Sequence, residues 1–138
     1  MQEVKHYQKI SVRRSSLHGW GVFADEVILP NEMVEVAPGV LLQQSFLNAC
    51  HYVATAEGMP PEEIMLDQYG IGWTDGRAFF PLGWVGLYNH SDNPSAEFVY
   101  VSDELVGIRS LKEISPDQEI TVNYGDHWWR QKGYLQKA

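Results

Sequence analysis

Three short segments, widely separated along the chain, constrain its fold more than any other feature. They are Gly-Trp-Gly at 19–21, Leu-Tyr-Asn-His-Ser at 87–91, and Asp-Gln-Glu-Ile-Thr-Val-Asn-Tyr-Gly at 117–125. Each one alone also fits an ordinary turn or strand end. Together, in this order and at this spacing, they fit one kind of chemistry.

The first segment permits two interpretations. Residues 19–24 match G-x-G-x-x-A, a dinucleotide-binding fingerprint that requires a helix starting at the glycines and an acidic residue about 20 positions later. Here the glycines are followed by Val-Phe-Ala at 22–24 and Val-Ile-Leu-Pro at 27–30, which predict a strand or an irregular edge, and positions 40–43 contain no acidic residue. We therefore expect a glycine turn that lets the backbone approach another group closely, and no nicotinamide site.

The second segment places an amide, an imidazole and a hydroxyl in a row, at Asn89, His90 and Ser91. Such side chains often bond to the backbone of a turn, so a structural role is the alternative to a functional one. A metal site is not expected, because the histidines are scattered without ligand spacing and the single cysteine is Cys50.

The third segment predicts a strand over residues 119–124 that ends at Gly125. A tyrosine at the end of a strand, here Tyr124, can direct its hydroxyl into a site. It can equally pack against a core, which is the commoner case.

Composition excludes several classes of protein. The chain has 138 residues, 44% of them hydrophobic, which suits one domain with a substantial core. The formal charge of −8 argues against direct nucleic-acid binding and suits a basic partner such as a lysine-rich tail, although acidic proteins are common. No apolar run reaches the ~20 residues of a membrane span and no signal peptide is recognisable. We therefore expect an intracellular protein, in the cytoplasm or the nucleus, that does not bind membranes.

The pattern of apolar runs and turn residues predicts a mostly β chain with one clear helix. Residues 33–42 are predicted to form strands interrupted at Pro38-Gly39. Asp75-Gly76 is the strongest hairpin signal. Hairpins are expected from strand pairs at 7–13 and 20–24, at 67–73 and 77–80, and at 96–101 and 105–110.

The helix is predicted over residues 46–57. Ser45 is expected to cap its start, and Gly58 is expected to end it. One face carries apolar residues at helical spacing and is expected to be buried: Phe46, Ala49, Cys50, Val53 and Ala56.

The combination of Gly-x-Gly, Asn-His-Ser and Glu-Ile-Thr-x-x-Tyr-Gly resembles the SET-domain protein lysine methyltransferases. Residues 16–24 resemble the first motif of the family, and residues 111–119 resemble the approach to its tyrosine. The resemblance extends from about residue 10 to residue 130. It is closest to the minimal SET proteins of viral or bacterial type, which lack cysteine-rich zinc-binding flanks.

The resemblance implies a β-clip-like SET fold of several small sheets with a short helical insert. One domain would span residues 1–138, with a variable insert at about 43–80 and an aromatic tail at about 126–138. A knot-like crossing near the C-terminus, which is rare in proteins, would bring the second and third segments together.

The resemblance also implies transfer of a methyl group from S-adenosylmethionine to a lysine of a protein or peptide, for which a histone tail is one candidate. Alignment of the reactants is worth up to ~7–11 kcal/mol in such displacements. The attacking amine must be neutral, whereas free lysine has a pKa of ~10.4. An apolar, aromatic channel lowers that pKa, so the chemistry requires tyrosines and aromatic walls, without a strong base.

Residue roles follow from the resemblance, motif by motif. Tyr124 matches the catalytic tyrosine, and Tyr69 of the insert would face the substrate amine. Val122 occupies a position where some relatives carry an aromatic residue that tunes the number of methyl groups. The substrate would contact Tyr69, Trp128 and Val122, and the cofactor would contact Gly19, Trp20, Gly21, Asn89, His90, Tyr124 and Trp129.

Other assignments remain open at this level. The resemblance would place Trp128 on the wall of the lysine channel and Trp129 on the adenine. Hydrophobic packing of the last segment explains both tryptophans almost as well. A catalytically inactive SET-like module that binds peptides is a second hypothesis, which the presence of Tyr124 and Asn89-His90 opposes. A methyltransferase acting on a non-histone protein or a small amine is a third. The sequence makes no prediction of the target lysine or the oligomeric state.

Overall fold

The computed structural model describes residues 9–59, 71–72, 77–102 and 104–125. The chain forms two compact units. The first comprises residues 1–39 and 81–123, and the second comprises residues 40–80 and 124–138.

One sheet of the first unit contains all three sequence segments. Its strands are β1 (Ile10–Arg14), β2 (Trp20–Ala24), β6 (Asn89–His90) and β9 (Glu119–Val122), in the order β1-β2-β9-β6. The predicted hairpin of β1 and β2 is confirmed, with Val12 opposite Val22. β9 runs antiparallel to β2 and parallel to β6.

The strand β3 (Met33–Gln43) runs without a break through Pro38, so the predicted interruption was wrong. It pairs with β8 (Leu105–Ser110), which forms a hairpin with β7 (Ala96–Ser102), as predicted. Pro38 lacks an N–H, but its carbonyl accepts a hydrogen bond from Leu82 at 2.8 Å. The next residue, Gly39, donates its N–H to the Glu104 carbonyl at 3.1 Å, so the strand pairing continues past Pro38.

The core of the first unit is built from aliphatic residues of these strands. Ile28 and Ile114 form an isolated bridge between two loops and are also buried. Full burial of each such side chain contributes ~1.5–3 kcal/mol to stability. The aliphatic residues of β2, β8 and β9 that are 0% exposed are Val22, Ala24, Val106, Ile108, Ile120 and Val122.

The second unit contains the helix α1 (Gln44–Ala56). The predicted cap at Ser45 was wrong, because the N-cap residue is Gln43, which makes no side-chain capping hydrogen bond. The predicted end at Gly58 is confirmed. Gly58 adopts φ +87°. Its N–H donates to Thr55, while that of Met59 donates to Ala54, which is the Schellman pattern of a helix end.

The buried face of α1 differs from the predicted one. Leu47 is buried, with 7% of its surface exposed, whereas Phe46 and Val53 are 54% and 59% exposed. Cys50 is the one predicted residue that lies on the partly buried side, with His51 and Ala54. The helix carries apolar side chains on more than one face, so periodicity alone selected the wrong face.

The second unit also contains the predicted hairpin of β4 (Ile71–Gly72) and β5 (Arg77–Pro81), which pair antiparallel. Its predicted turn at Asp75-Gly76 lies outside the described residues. Within the described ranges, no helix is both long and apolar enough to cross a membrane. The same residues contain no group of three or more His, Cys, Asp or Glu side chains able to hold a metal ion.

Candidate active site

The side-chain amide of Asn89 joins the first two sequence segments. Asn89 lies in β6 with 6% of its surface exposed. Its Nδ2 atom donates to the carbonyl oxygens of His18 at 3.0 Å and Trp20 at 3.1 Å. The amide therefore fastens the Gly-Trp-Gly turn to the start of β6.

The carboxylate of Glu119, the first residue of β9, connects the third segment to the other two. Its Oε2 accepts a hydrogen bond from Nδ2 of Asn89 at 2.8 Å, and its Oε1 accepts one from the hydroxyl of Ser15 at 2.6 Å. Ser15 begins the turn that closes at Gly19 through a 2.8 Å backbone bond. Glu119 was missed as a site residue, although a carboxylate directly before an Ile-Thr-Val run was a usable signal.

The two glycines of the first segment serve different purposes. Gly19 adopts φ +48°, a left-handed conformation that other residues rarely adopt. Gly21 is required by space, because a Cβ there would contact the carboxylate of Glu119 and lie 3.0 Å from Nδ2 of Asn89. The close approach predicted for this turn is therefore made to the protein's own side chains.

His90 joins the second and third segments through its backbone. It pairs with Val122 in the parallel register of β6 and β9, and the next residue, Ser91, donates its N–H to the Val122 carbonyl at 2.9 Å. The imidazole Nε2 lies 2.8 Å from the Asp92 carboxylate. The prediction that these two segments meet is confirmed.

Ser95 completes this pairing. Its hydroxyl accepts a hydrogen bond from the N–H of Thr121 at 3.0 Å, and its own N–H donates to the Thr121 carbonyl at 3.2 Å. Both residues are buried, at 2% and 8% exposure. The serine thus satisfies buried backbone groups of β9 that would otherwise destabilise the fold.

Trp20 presents its ring at the edge of the turn. The side chain is 52% exposed, and the Arg14 guanidinium lies 4.7 Å from the centre of the ring. Arg14 and Trp20 are opposite each other in the β1–β2 register. The turn therefore offers an aromatic face and a cation next to the backbone that Asn89 holds.

Comparison with known proteins identifies this arrangement, since a model of the SET domain matches residues 19–125. The chain belongs to the SET-domain family. It is 24% identical over 121 residues to a Schizosaccharomyces pombe histone-lysine N-methyltransferase specific for lysine 37 of histone H3, covering 87% of this chain and 76% of that relative. The crystal structure of a Plasmodium falciparum protein, described as a candidate histone methyltransferase, matches with a TM-score of 0.64 and 32% identity. That match covers 90% of this chain and 99% of the other.

These relationships confirm the predicted fold and the predicted reaction. The chain is a SET-domain protein-lysine methyltransferase, mostly β with several small sheets, and it uses S-adenosylmethionine as its methyl donor. Its substrate is a lysine-containing protein.

The remaining predicted site residues of the SET domain lie elsewhere in the chain. Tyr124 follows the end of β9, is half-buried and belongs to the second unit. Val122 is fully buried in the first unit. Tyr69, Trp128 and Trp129 lie outside the described residues.

A buried carboxylate that none of the three segments contains lies next to the residues leading into β6. Oε2 of Glu35 accepts a hydrogen bond from the Trp84 N–H at 2.8 Å, and Oε1 accepts one from the Tyr88 hydroxyl at 2.9 Å. Burial raises the pKa of Glu35 above its ordinary value, although both hydrogen bonds favour the charged form. The pKa of Tyr88 lies well above its ordinary value, mainly through burial and then through the Glu35 charge. The sequence signal was a carboxylate within an apolar run.

Proposed function

We propose that the Gly-Trp-Gly turn and the Asn89-His90 strand form the S-adenosylmethionine site of this methyltransferase. The supporting observation is the Asn89 amide, which donates to carbonyl oxygens of the turn and to Glu119. Each of those carbonyl oxygens has a second lone pair that can accept from a cofactor ammonium. The exposed ring of Trp20 and the guanidinium of Arg14 match the apolar and anionic parts of such a cofactor in chemical character.

We further propose that Tyr124 is the catalytic residue. The bound cofactor supplies an electrophilic methyl group, and the phenolic hydroxyl orients the lysine amine toward it. The sequence-based assignments place Trp129 on the cofactor and Tyr69, Trp128 and Val122 on the lysine side. The insert at about 43–80 would select the substrate within a single SET domain that spans residues 1–138.

We infer that the substrate is the lysine-rich tail of a histone and that the protein acts in the nucleus. The formal charge of −8 favours a basic substrate by long-range attraction. Both relatives described above carry histone methyltransferase names. A small amine would gain much less from a field spread over the whole surface.

Labelling with tritiated S-adenosylmethionine tests this function directly. The protein is incubated with core histones, with a lysate and with serum albumin as a lysine-containing control. Asn89→Ala serves as the binding-defective variant. We expect label in one histone band, absent with Asn89→Ala. Label in a non-histone band would overturn the histone assignment. Intact binding of S-adenosylhomocysteine with no label in any protein would favour an inactive binding module instead.

A further inference from the structure

One carboxylate holds both ends of the turn that leads into Asn89. Trp84 begins this turn, a short 3₁₀ helix (Val85–Leu87) continues it, and Tyr88 ends it immediately before Asn89. Glu35 in β3 accepts hydrogen bonds from the first and last of these residues, at 2.8 Å and 2.9 Å. The turn is therefore fixed at both ends from a single side chain.

The surroundings of this carboxylate leave little room for movement. Glu35 is 7% exposed, and Val85 and Tyr88 are each 1% exposed. Gly83 adopts φ +76°, and a Cβ there would lie 2.9 Å from Oε2 of Glu35. A shift of the turn would therefore break a hydrogen bond or create a steric clash.

The carboxylate is held mainly by these two donors. Among the described residues, no basic side chain forms an ion pair with Glu35. A buried charge is costly unless it is paired or hydrogen-bonded, and bonds to an ionised acceptor are stronger than neutral ones. The two hydrogen bonds therefore tie the positions of the Trp84 N–H and the Tyr88 hydroxyl to that of the carboxylate.

We propose that Glu35 is a positioning residue for cofactor binding, acting through Trp84 and Tyr88 on Asn89. This inference rests on the proposed assignment of Asn89 to the S-adenosylmethionine site. The carboxylate fixes the turn, and the turn fixes the start of β6. β6 in turn directs the Asn89 amide at the carbonyls of His18 and Trp20.

The test uses the full chain with three variants and two controls. Glu35→Ala removes the carboxylate, and Tyr88→Phe removes only one donor and keeps the ring. Glu35→Gln keeps an oxygen to accept from Trp84 and gains an amide that can donate to the Tyr88 oxygen. Glu97→Gln and Tyr100→Phe, both in β7, are matched controls for charge removal and hydroxyl removal.

Four quantities are measured on each variant. They are the Kd of S-adenosylhomocysteine by calorimetry, KM and kcat with a lysine substrate, the melting temperature, and solvent exchange of the Asn89 side-chain amide protons by NMR without cofactor. We expect Glu35→Ala and Tyr88→Phe to weaken cofactor binding, Glu35→Ala by about tenfold. Both should speed exchange of the Asn89 amide, while kcat at saturating cofactor stays close to that of the wild type. Glu35→Gln should restore binding and slow exchange.

The proposal is overturned if Glu35→Ala or Tyr88→Phe folds and binds S-adenosylhomocysteine with the Kd of the wild type. In that outcome the exchange rate of the Asn89 amide would also be unchanged, and only the melting temperature would be lower. If Glu35→Ala does not fold, Tyr88→Phe alone decides by the same criterion. Failure of the wild type to bind S-adenosylhomocysteine would instead contradict the cofactor site and with it the cofactor role of Glu35. In that case the exchange data would show only whether Glu35 positions the Asn89 amide.

Discussion

At the scale of single residues, the site depends on which atom of Asn89 faces which partner. Three oxygen atoms surround its Nδ2: the carbonyls of His18 and Trp20 and the carboxylate of Glu119. An amide nitrogen can only donate, so this environment selects asparagine over a carboxylate of the same shape. The residue type is thus dictated by hydrogen-bond polarity as well as by size.

Asn89→Asp is expected to fail because it replaces the donor with an acceptor among three acceptors. The buried position leaves that repulsion unscreened, so we expect a loss of ~1–3 kcal/mol in the free energy of unfolding and loss of S-adenosylhomocysteine binding. Urea unfolding and calorimetry measure the two effects. Asn93→Asp, at an exposed loop position, is the control and should change neither. Wild-type affinity in Asn89→Asp would remove Asn89 from the cofactor site.

Tyr124→Phe separates a catalytic hydroxyl from a structural ring. If the hydroxyl acts in the transition state, kcat should fall by about 10²-fold or more, while cofactor Kd and melting temperature change little. All three are measured on one preparation, with Tyr100→Phe as the matched control. A lower melting temperature with kcat retained in the folded fraction would make Tyr124 a structural residue.

At the scale of the elements, the sequence predicted which strands pair more accurately than it predicted which side chains are buried. The β1–β2 and β7–β8 hairpins follow from alternation and turn residues, which are local properties. The links from Asn89 and Ser15 to Glu119 were not predicted, because they join residues 30 and 104 positions apart. The buried carboxylate of Glu35 was missed for the same reason, since its partners lie 49 and 53 positions away.

The packing of the Gly-Trp-Gly turn on β9 can be tested by a double-mutant cycle. Gly21→Ala places a methyl group against the Glu119 carboxylate, and overpacking of this kind costs ~1–3 kcal/mol. Glu119→Ala removes the obstructing group, so Gly21→Ala should cost less in that background. Urea unfolding of the four proteins gives the coupling energy, which we expect to be ~0.5–3 kcal/mol. Strict additivity would show that the two residues do not oppose each other.

Substitutions on the two faces of α1, the predicted one with Phe46 and the observed one with Leu47, should affect stability differently. Leu47→Ala should lower the free energy of unfolding by ~2–5 kcal/mol, because Leu47 is buried. Phe46→Ala should change it by about 1 kcal/mol or less, because Phe46 is 54% exposed. Denaturant unfolding of the two variants, monitored by the circular dichroism signal of the helix, measures both changes. A larger loss for Phe46→Ala would restore the face predicted from periodicity.

At the scale of the whole molecule, acidic groups whose pKa values shift in opposite directions contribute with opposite sign to the pH dependence of stability. The pKa of Glu32 is lowered, mainly by its hydrogen bond with Lys9. The pKa of Asp25 is also lowered, mainly by its hydrogen bond with Ser11 and next by its hydrogen bond with Arg13. Such groups stabilise the fold above their unfolded-state pKa values, and that contribution is lost as pH falls through their folded-state values. Glu35 acts in the opposite direction, because burial raises its pKa.

The contribution of Glu35 can be isolated by comparing the wild type with Glu35→Gln. A raised folded-state pKa means that the fold binds the proton more tightly than the unfolded chain does. The stability from Glu35 is therefore fully present below its unfolded-state pKa and is lost as pH rises through its folded-state pKa. Melting temperatures are measured from mildly acidic to neutral pH. We expect the melting temperature of Glu35→Gln to rise relative to that of the wild type as pH rises. A constant difference across that range would mean that the pKa of Glu35 is the same in the folded and unfolded chains.

The position of β9 between β2 and β6 bears on how the chain folds during synthesis. Contacts between residues distant in sequence slow folding, because the entropy of closing the loop is lost before the contacts form. Ribosomes add ~5–20 residues per second, so β2 waits for seconds before its partner emerges, and meanwhile its edge can pair with another chain. The strand whose Glu119 meets Asn89 beside the Gly-Trp-Gly turn is thus also the strand that covers this edge of β2.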